Sequence, residues 1–125
     1  MLLVKTRLDK SSIHGIGLFA DQFIPKGTMV WRFEPGFDRL VPKREMEHLP
    51  GVAQDYLRTY ASQEYEMYLI DGDNSRFTNH SDLPNLSTVG GLAPMIAACD
   101  IRAGEELTCN YLEFDAPSRA HEAEI

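Results

Sequence analysis

The apolar residues of this chain lie in short runs interrupted by turn-forming residues, and this spacing most restricts the folds it can adopt. No run approaches the roughly 20 apolar residues of a membrane-spanning helix. Pro25 and Gly27 suit the second and fourth positions of a β-turn, and Gly104 occupies a similar place near the end of the chain. Short apolar runs bounded by turns are typical of β-strands. Strands are predicted at residues 2–6, 29–33, 64–70, 93–99 and 106–111, and residues 18–20 form a further short apolar piece.

The middle of the chain has a different apolar period. Between residues 52 and 60 the apolar side chains recur at helical spacing, which predicts a helix there. Residues 42–48 fit a second short helix, because Pro42 is tolerated in a first helical turn. The predicted fold class is therefore mainly β, with a short helical insertion.

Charge is distributed unevenly along the 125 residues, which are enough for one domain. Residues 1–60 hold nine Lys and Arg against seven Asp and Glu, whereas residues 61–125 hold three against twelve. An acidic half disfavours nucleic acid and favours a cationic partner. Acidic surfaces also keep small domains soluble, so both interpretations stay open at this point.

Cysteine and histidine are too sparse to predict a metal site. The two cysteines, Cys99 and Cys109, form no Cys-x-x-Cys pair, and the four histidines are scattered. The N-terminal residues lack the basic segment and long apolar stretch of a signal peptide. We expect a cytoplasmic protein with neither a membrane nor a nucleic acid as its partner.

Three polar segments stand out between the predicted strands. Residues 12–20 read Ser-Ile-His-Gly-Ile-Gly-Leu-Phe-Ala, residues 76–85 read Arg-Phe-Thr-Asn-His-Ser-Asp-Leu-Pro-Asn, and residues 103–111 read Ala-Gly-Glu-Glu-Leu-Thr-Cys-Asn-Tyr. Paired glycines let a ligand approach the backbone closely. Each segment alone also fits a tight turn, a polar loop or an edge strand.

Together, and in this order, the three segments resemble the SET-domain family of protein lysine methyltransferases. The second segment carries Asp82 where the family motif has cysteine, and the third carries Asn110 where it has aspartate. The resemblance predicts a SET domain over residues 1–114 and a C-terminal tail over residues 115–125. It implies small curled sheets with a pseudoknot, in which residues 76–85 cross residues 104–111.

The resemblance also implies an activity, the transfer of a methyl group from S-adenosylmethionine to a protein lysine. By position, Tyr111 is the catalytic residue. The residues expected to bind the cofactor are His14, Gly15, Ile16, Gly17, Asn79 and His80. The aromatic residues expected to line the lysine channel, where plain core packing is the alternative, are Phe33, Tyr65, Tyr68 and Phe114.

Further expectations concern supporting residues and partners. Asp71 and Arg76 are expected to be structural and to pair with each other. The substrate is expected to be a lysine-containing, basic protein or peptide, and a homodimer is a further expectation. The alternative function is a catalytically weak or inactive module on the same fold that binds S-adenosylmethionine or a lysine-bearing peptide.

Overall fold

The computed structural model describes residues 1–113. Its regular structure consists mostly of short strands, with one α-helix, α1, at Gly51–Tyr60. The strands are β1 (Thr6–Lys10), β2 (Ile16–Ala20), β3 (Met29–Trp31), β4 (Arg39–Pro42), β5 (Ser62–Glu64), β6 (Met67–Ile70), β7 (Asn79–His80), β8 (Leu86–Ser87), β9 (Met95–Ala97) and β10 (Thr108–Cys109). Short 3-10 helices occupy Lys43–His48, Asn74–Phe77 and Tyr111–Glu113. The predicted mainly-β class with a helical insertion is confirmed.

The strands pair in four small sheets. Strands β1 and β2 form an antiparallel pair, β3, β9 and β8 form one three-stranded sheet, and β4, β6 and β5 form another. The fourth sheet is the parallel pair of β7 and β10. Within residues 1–113, no helix has the length and apolar character needed to cross a membrane.

Several of the predicted strands are wrong in extent. The first strand is Thr6–Lys10 rather than 2–6, because its backbone pairs with β2 while most of its side chains stay exposed. The predicted strand 64–70 is a hairpin of β5 and β6, with Tyr65 in the left-handed region at φ 52°. Tyrosine is not a turn-forming residue, so the alternating sequence pattern continues through the bend and does not reveal it.

The predicted helix at 42–48 is a 3-10 helix over Lys43–His48, and none of its residues is buried. The predicted strand 106–111 is also shorter, since β10 covers only Thr108–Cys109 and a 3-10 helix begins at Tyr111. The strand is short because only Thr108 and Cys109 pair with a neighbouring strand, β7.

The hydrophobic core lies between the two predicted turns and β2. Gly27 and Gly104 both have the positive φ that these turns require, 88° and 92°. The turns bring Ile24 opposite Ile101, and each donates its backbone N–H to the other's carbonyl at 2.8 Å. The largest fully buried side chains in the described chain are Leu18, Ile24, Val30, Ile101 and Leu107. This core fixes the ends of β2 and β10, where the site is built.

The segment that ends in β10 lies between two parts of the chain that are distant in sequence. On one side, Leu107 donates its N–H to the carbonyl oxygen of Leu18 in β2 at 2.8 Å. On the other side, Thr108 and Cys109 pair in parallel with Asn79 and His80. The predicted crossing of residues 76–85 with residues 104–111 is therefore confirmed.

Candidate functional site

The side chain of Asn79 joins all three motif segments at one point. Asn79 is buried, and its Nδ2 donates to the carbonyl oxygen of His14 at 3.0 Å and of Ile16 at 3.4 Å. The same nitrogen donates to Glu106 Oε2 at 2.9 Å. The predicted cofactor-binding residues of the first and second segments thus meet, and a carboxylate of the third segment lies beside them.

Glu106 is a site residue that the sequence analysis missed. The Ser11 hydroxyl donates to its carboxylate, with distances of 2.8 Å to Oε1 and 2.9 Å to Oε2. A Cβ atom at Gly17 would overlap this carboxylate, so a larger residue there would displace the Glu106 side chain from Asn79 and Ser11. The paired glycines indicate that another group approaches the backbone closely. They do not reveal that this group is Glu106, which lies 95 residues from Ser11 in sequence.

His80 holds the backbone of Tyr111. The N–H of Tyr111 donates to His80 Nδ1 at 3.1 Å, so Nδ1 is an acceptor and the proton of the neutral ring lies on Nε2. The Nε2 atom lies 2.9 Å from Asp82 Oδ1. The two rings also meet edge to face, with centroids 5.2 Å apart. Asp82, at the family's cysteine position, therefore fixes the histidine tautomer that accepts from Tyr111.

The Tyr111 hydroxyl points back to the second motif segment. It donates to the carbonyl oxygen of Thr78 at 2.7 Å, while the residue as a whole stays 41% exposed. A hydroxyl oxygen and a backbone carbonyl oxygen therefore lie next to each other. Both can accept hydrogen bonds from an amine or contact polarised C–H groups.

Tyr111 and Thr78 face a cavity of about 220 Å³. Its walls are largely apolar and aromatic, and they come from β3, α1, β6, β8 and β9. Tyr60, at the end of α1, is one of them, although the sequence analysis placed it only in the apolar stripe of a helix. The apolar and aromatic lining includes Leu2, Trp31, Tyr60, Leu69, Leu86, Met95 and Tyr111.

Polar groups also line this cavity, and some buried donors among them have no hydrogen-bond partner within residues 1–113. These donors include Trp31 Nε1 and Arg76 Nε. Burial raises the pKa of the neighbouring Asp71 carboxyl to about 6, partly opposed by the Ser75 hydroxyl and reinforced by the negative charges of Asp38 and Asp73. The cavity therefore combines an apolar wall with polar groups suited to a ligand or to proton transfer.

The cysteine in the wall does not supply a nucleophile. Cys109 is buried, and burial together with the negative charges of Glu113 and Asp71 raises the pKa of its thiol to about 12. A thiol that stays protonated is a poor nucleophile and a poor metal ligand. In the described part of the chain, no three His, Cys, Asp or Glu residues are grouped so that they could hold a metal ion.

The predicted channel residues lie elsewhere. Phe33 follows β3 and is half-buried, Tyr65 forms the β5–β6 turn, and Tyr68 lies on β6 with Lys43 Nζ 5.4 Å from its ring centroid. None of these three lines the cavity. Phe114 lies outside the described residues. Their roles in substrate binding stay predictions.

The predicted pairing of Asp71 with Arg76 is wrong, since no ion pair joins them within residues 1–113. Arg76 Nη1 instead donates to the carbonyl oxygen of Asp73 at 3.2 Å, and its guanidinium lies 4.7 Å from the Phe77 ring centroid. Both side chains line the cavity, so Asp71 faces the site without a direct counter-ion.

Comparisons with known proteins agree with this geometry. The SET domain family matches residues 15–112, which include the second and third segments and all but the first three residues of the first. A histone-lysine N-methyltransferase of Mycosarcoma maydis, specific for lysine 4 of histone H3, is 32% identical over 114 residues; the alignment covers 82% of this chain. The chain spans only 8% of the length of that relative.

Solved structures agree on the fold. The polycomb repressive complex 2 of Chaetomium thermophilum aligns with a TM-score of 0.64 at 27% identity, over 86% of this chain and 15% of that chain. A candidate histone methyltransferase of Plasmodium falciparum aligns with a TM-score of 0.61 at 22% identity, over 88% of this chain and 95% of that chain. Since the family match spans most of the chain and its motif segments converge on one site, the chain belongs to the SET domain family.

Proposed function

We propose that this chain transfers a methyl group from S-adenosylmethionine to the side-chain amine of a protein lysine. The observation that carries the proposal is the position of Tyr111. His80 fixes its backbone, its hydroxyl contacts the Thr78 carbonyl oxygen at 2.7 Å, and its ring borders the cavity. Methyl transfer needs positioning rather than a protein nucleophile, and this arrangement provides it.

The residues around Asn79 fit the methionine part of such a cofactor. The carbonyl oxygens of His14 and Ile16 and the Glu106 carboxylate surround a single amide nitrogen, so three acceptors converge on a small volume. Asn79 Nδ2 fills that volume itself, but each of these oxygens keeps a further lone pair, so an ammonium group bound beside the amide would find acceptors. When bound, S-adenosylmethionine supplies the methyl group on a positively charged sulfur, which makes it transferable.

The cavity fits the aliphatic part and the amine of a lysine. Its apolar wall removes the side chain from water, which disfavours the charged ammonium and favours the neutral amine that can attack. The Tyr111 hydroxyl oxygen and the Thr78 carbonyl oxygen then orient the amine, because both accept hydrogen bonds from it. Trp31 and Tyr60 provide aromatic surface for the methylene groups.

The proposed substrate is a lysine in a basic segment of a protein. The acidic half of the chain supports this choice, since residues 61–125 hold twelve Asp and Glu against three Lys and Arg. Opposite charges raise the rate at which a basic protein segment associates with such a surface. The name of the Mycosarcoma maydis relative supports a histone-like target. A homodimer is part of the proposal and is supported by the exposed Leu83 and Leu112 beside the site, 92% and 88% exposed. A cytoplasmic location stays a prediction.

The test is a methyl-transfer assay on an array of lysine-centred basic peptides and core histones, with labelled S-adenosylmethionine and mass spectrometry of the products. Wild-type protein should methylate lysine, and Tyr111→Phe should not, although it should bind the cofactor in calorimetry. Tyr56→Phe, on the exposed face of α1, is the matched control and should keep wild-type turnover. Cofactor binding without turnover by the wild type would instead support a catalytically inactive module, and absence of binding would refute both functions.

A further inference from the structure

Asp71 is the one carboxylate among the described residues that line the cavity with Tyr111. It follows β6 directly and lies partly buried at the cavity wall. Its neighbour Gly72 donates its N–H to Asp38 Oδ1 at 2.9 Å, which fixes the backbone at the end of the strand. This contact holds the backbone of Asp71 at the cavity wall, and the Ser75 hydroxyl and burial restrain its carboxylate.

The charges around Asp71 keep its carboxylate able to take up a proton. Burial raises its pKa to about 6, and the negative charges of Asp38 and Asp73 act in the same direction. Asp38 itself stays ionised, because hydrogen bonds from Gly72, the amino group of Met1 and Glu34 outweigh its burial and hold its pKa below 3.8. The charged groups near Asp71 or along the same wall are the amino group of Met1, Asp38, Arg58, Asp73 and Arg76.

The other polar groups of the cavity are unsuited to accept a proton. The Cys109 thiol is protonated at neutral pH, since its pKa is raised to about 12. The Tyr111 hydroxyl is a donor to the Thr78 carbonyl oxygen. Arginine side chains are always charged in proteins and carry donors only. A lysine enters the site as an ammonium and must lose one proton before its nitrogen can attack, so an acceptor is required.

We propose that the Asp71 carboxylate is the proton acceptor for the substrate lysine. One N–H bond of the ammonium breaks, an O–H bond forms on Asp71, and the electron pair stays on nitrogen. That pair then attacks the methyl carbon, the carbon–sulfur bond breaks, and the sulfur leaves as a neutral thioether. The product is a methylated ammonium, and Asp71 returns its proton to solvent.

The step is feasible because the cavity brings the pKa of the Asp71 carboxyl and the pKa of the lysine ammonium closer together. Burial favours the neutral form of both partners, so it raises the pKa of the carboxyl and lowers that of the ammonium. The inference rests on the proposed methyltransferase function, which supplies the amine substrate. Asp71 itself lies outside the three motif segments.

The experiment compares the single-turnover rate of wild type and Asp71→Asn across pH, on the peptide that the wild type methylates best in the array. General base catalysis predicts a loss of about 100-fold in the variant. The wild-type rate should level off above about pH 6 and fall below it, whereas the rate of the variant, which depends on the fraction of lysine that is already neutral, should keep rising with pH. Asp100→Asn is the control, because it removes a carboxylate outside the cavity while the amide oxygen can still accept from the Lys26 N–H.

Two further measurements separate a proton acceptor from a structural residue. A peptide with S-aminoethylcysteine in place of lysine has a less basic amine, so Asp71→Asn should lose much less rate on it than on the lysine peptide. Calorimetric cofactor affinity should be unchanged in the variant. An equal loss on both peptides, or an unchanged pH profile, would overturn the role of Asp71 while leaving the methyltransferase proposal intact. If no peptide is methylated by the wild type, both proposals fail.

Discussion

Replacement of Asp71 by asparagine should stabilise the protein at neutral pH, although it removes the proposed proton acceptor. Burial raises the pKa of the Asp71 carboxyl from 3.8 to about 6 in the folded protein. Because the folded state then binds this proton more tightly than the unfolded chain, ionisation of Asp71 opposes folding. The difference between the two pKa values corresponds to about 3 kcal/mol in the free energy of unfolding, at about 1.4 kcal/mol per pKa unit.

The effect has a defined dependence on pH. Below pH 3.8 the carboxyl is protonated in both states, so the penalty is absent. Between pH 3.8 and about 6 the unfolded chain releases its proton first, and the stability of the wild type falls. Above about pH 6 the penalty is constant. Asparagine has nearly the same shape and does not ionise, so its advantage should grow from near zero at about pH 4 to as much as about 3 kcal/mol at about pH 7.

The assay is urea unfolding followed by the fluorescence of Trp31, the single tryptophan, which is 6% exposed in the folded protein. Asp38→Asn is the matched control with the opposite sign, since hydrogen bonds hold the pKa of Asp38 below 3.8. That variant should lose stability at neutral pH. If Asp71→Asn gives the same change in unfolding free energy at pH 4.5 and 7.5, or is less stable at 7.5, the carboxylate is not desolvated and the reasoning is wrong.

Three further predictions concern the site and its edge. Gly17→Ala should weaken cofactor binding in calorimetry and lower the melting temperature, because its Cβ would displace the Glu106 carboxylate; Gly51→Ala at the start of α1, where nothing lies within 4 Å and φ is not positive, is the steric control. Tyr111→Phe should reduce turnover at least 100-fold but cost only about 1 kcal/mol of stability, since one exposed hydrogen bond is lost; equal turnover would remove the hydroxyl from the mechanism. A chain cut to residues 1–113 should lose much more activity than melting temperature, and full activity in it would show that Phe114 and the tail do not close the site.

The parts of the fold that the sequence predicts are those that local chemistry determines. The turns at Gly27 and Gly104 need a positive φ, and both have it. The helix α1 follows from the spacing of its apolar residues, with Leu57 as its buried member. These features depend on residues a few positions apart, so a single sequence contains the information that specifies them.

The parts that the sequence does not predict depend on partners far along the chain. Asp38 lies in a segment without a motif, yet it accepts from Gly72, 34 residues away. Glu106 fits an edge strand by pattern, but its carboxylate is bound by Ser11 and Asn79. The cavity residue Tyr60 is indistinguishable from any apolar helix position until the walls around it are known.

The threading of β10 beside β7 has a consequence for how the molecule folds. Ser11 contacts Glu106 across 95 residues of sequence, and Asn79 contacts His14 across 65. Closing loops of that length costs entropy before any favourable contact forms, so the rate of folding should be governed by this late closure. On a ribosome, residues 1–100 emerge without the strand that completes the site. The candidate site is therefore complete only after β10 has emerged and paired with β7.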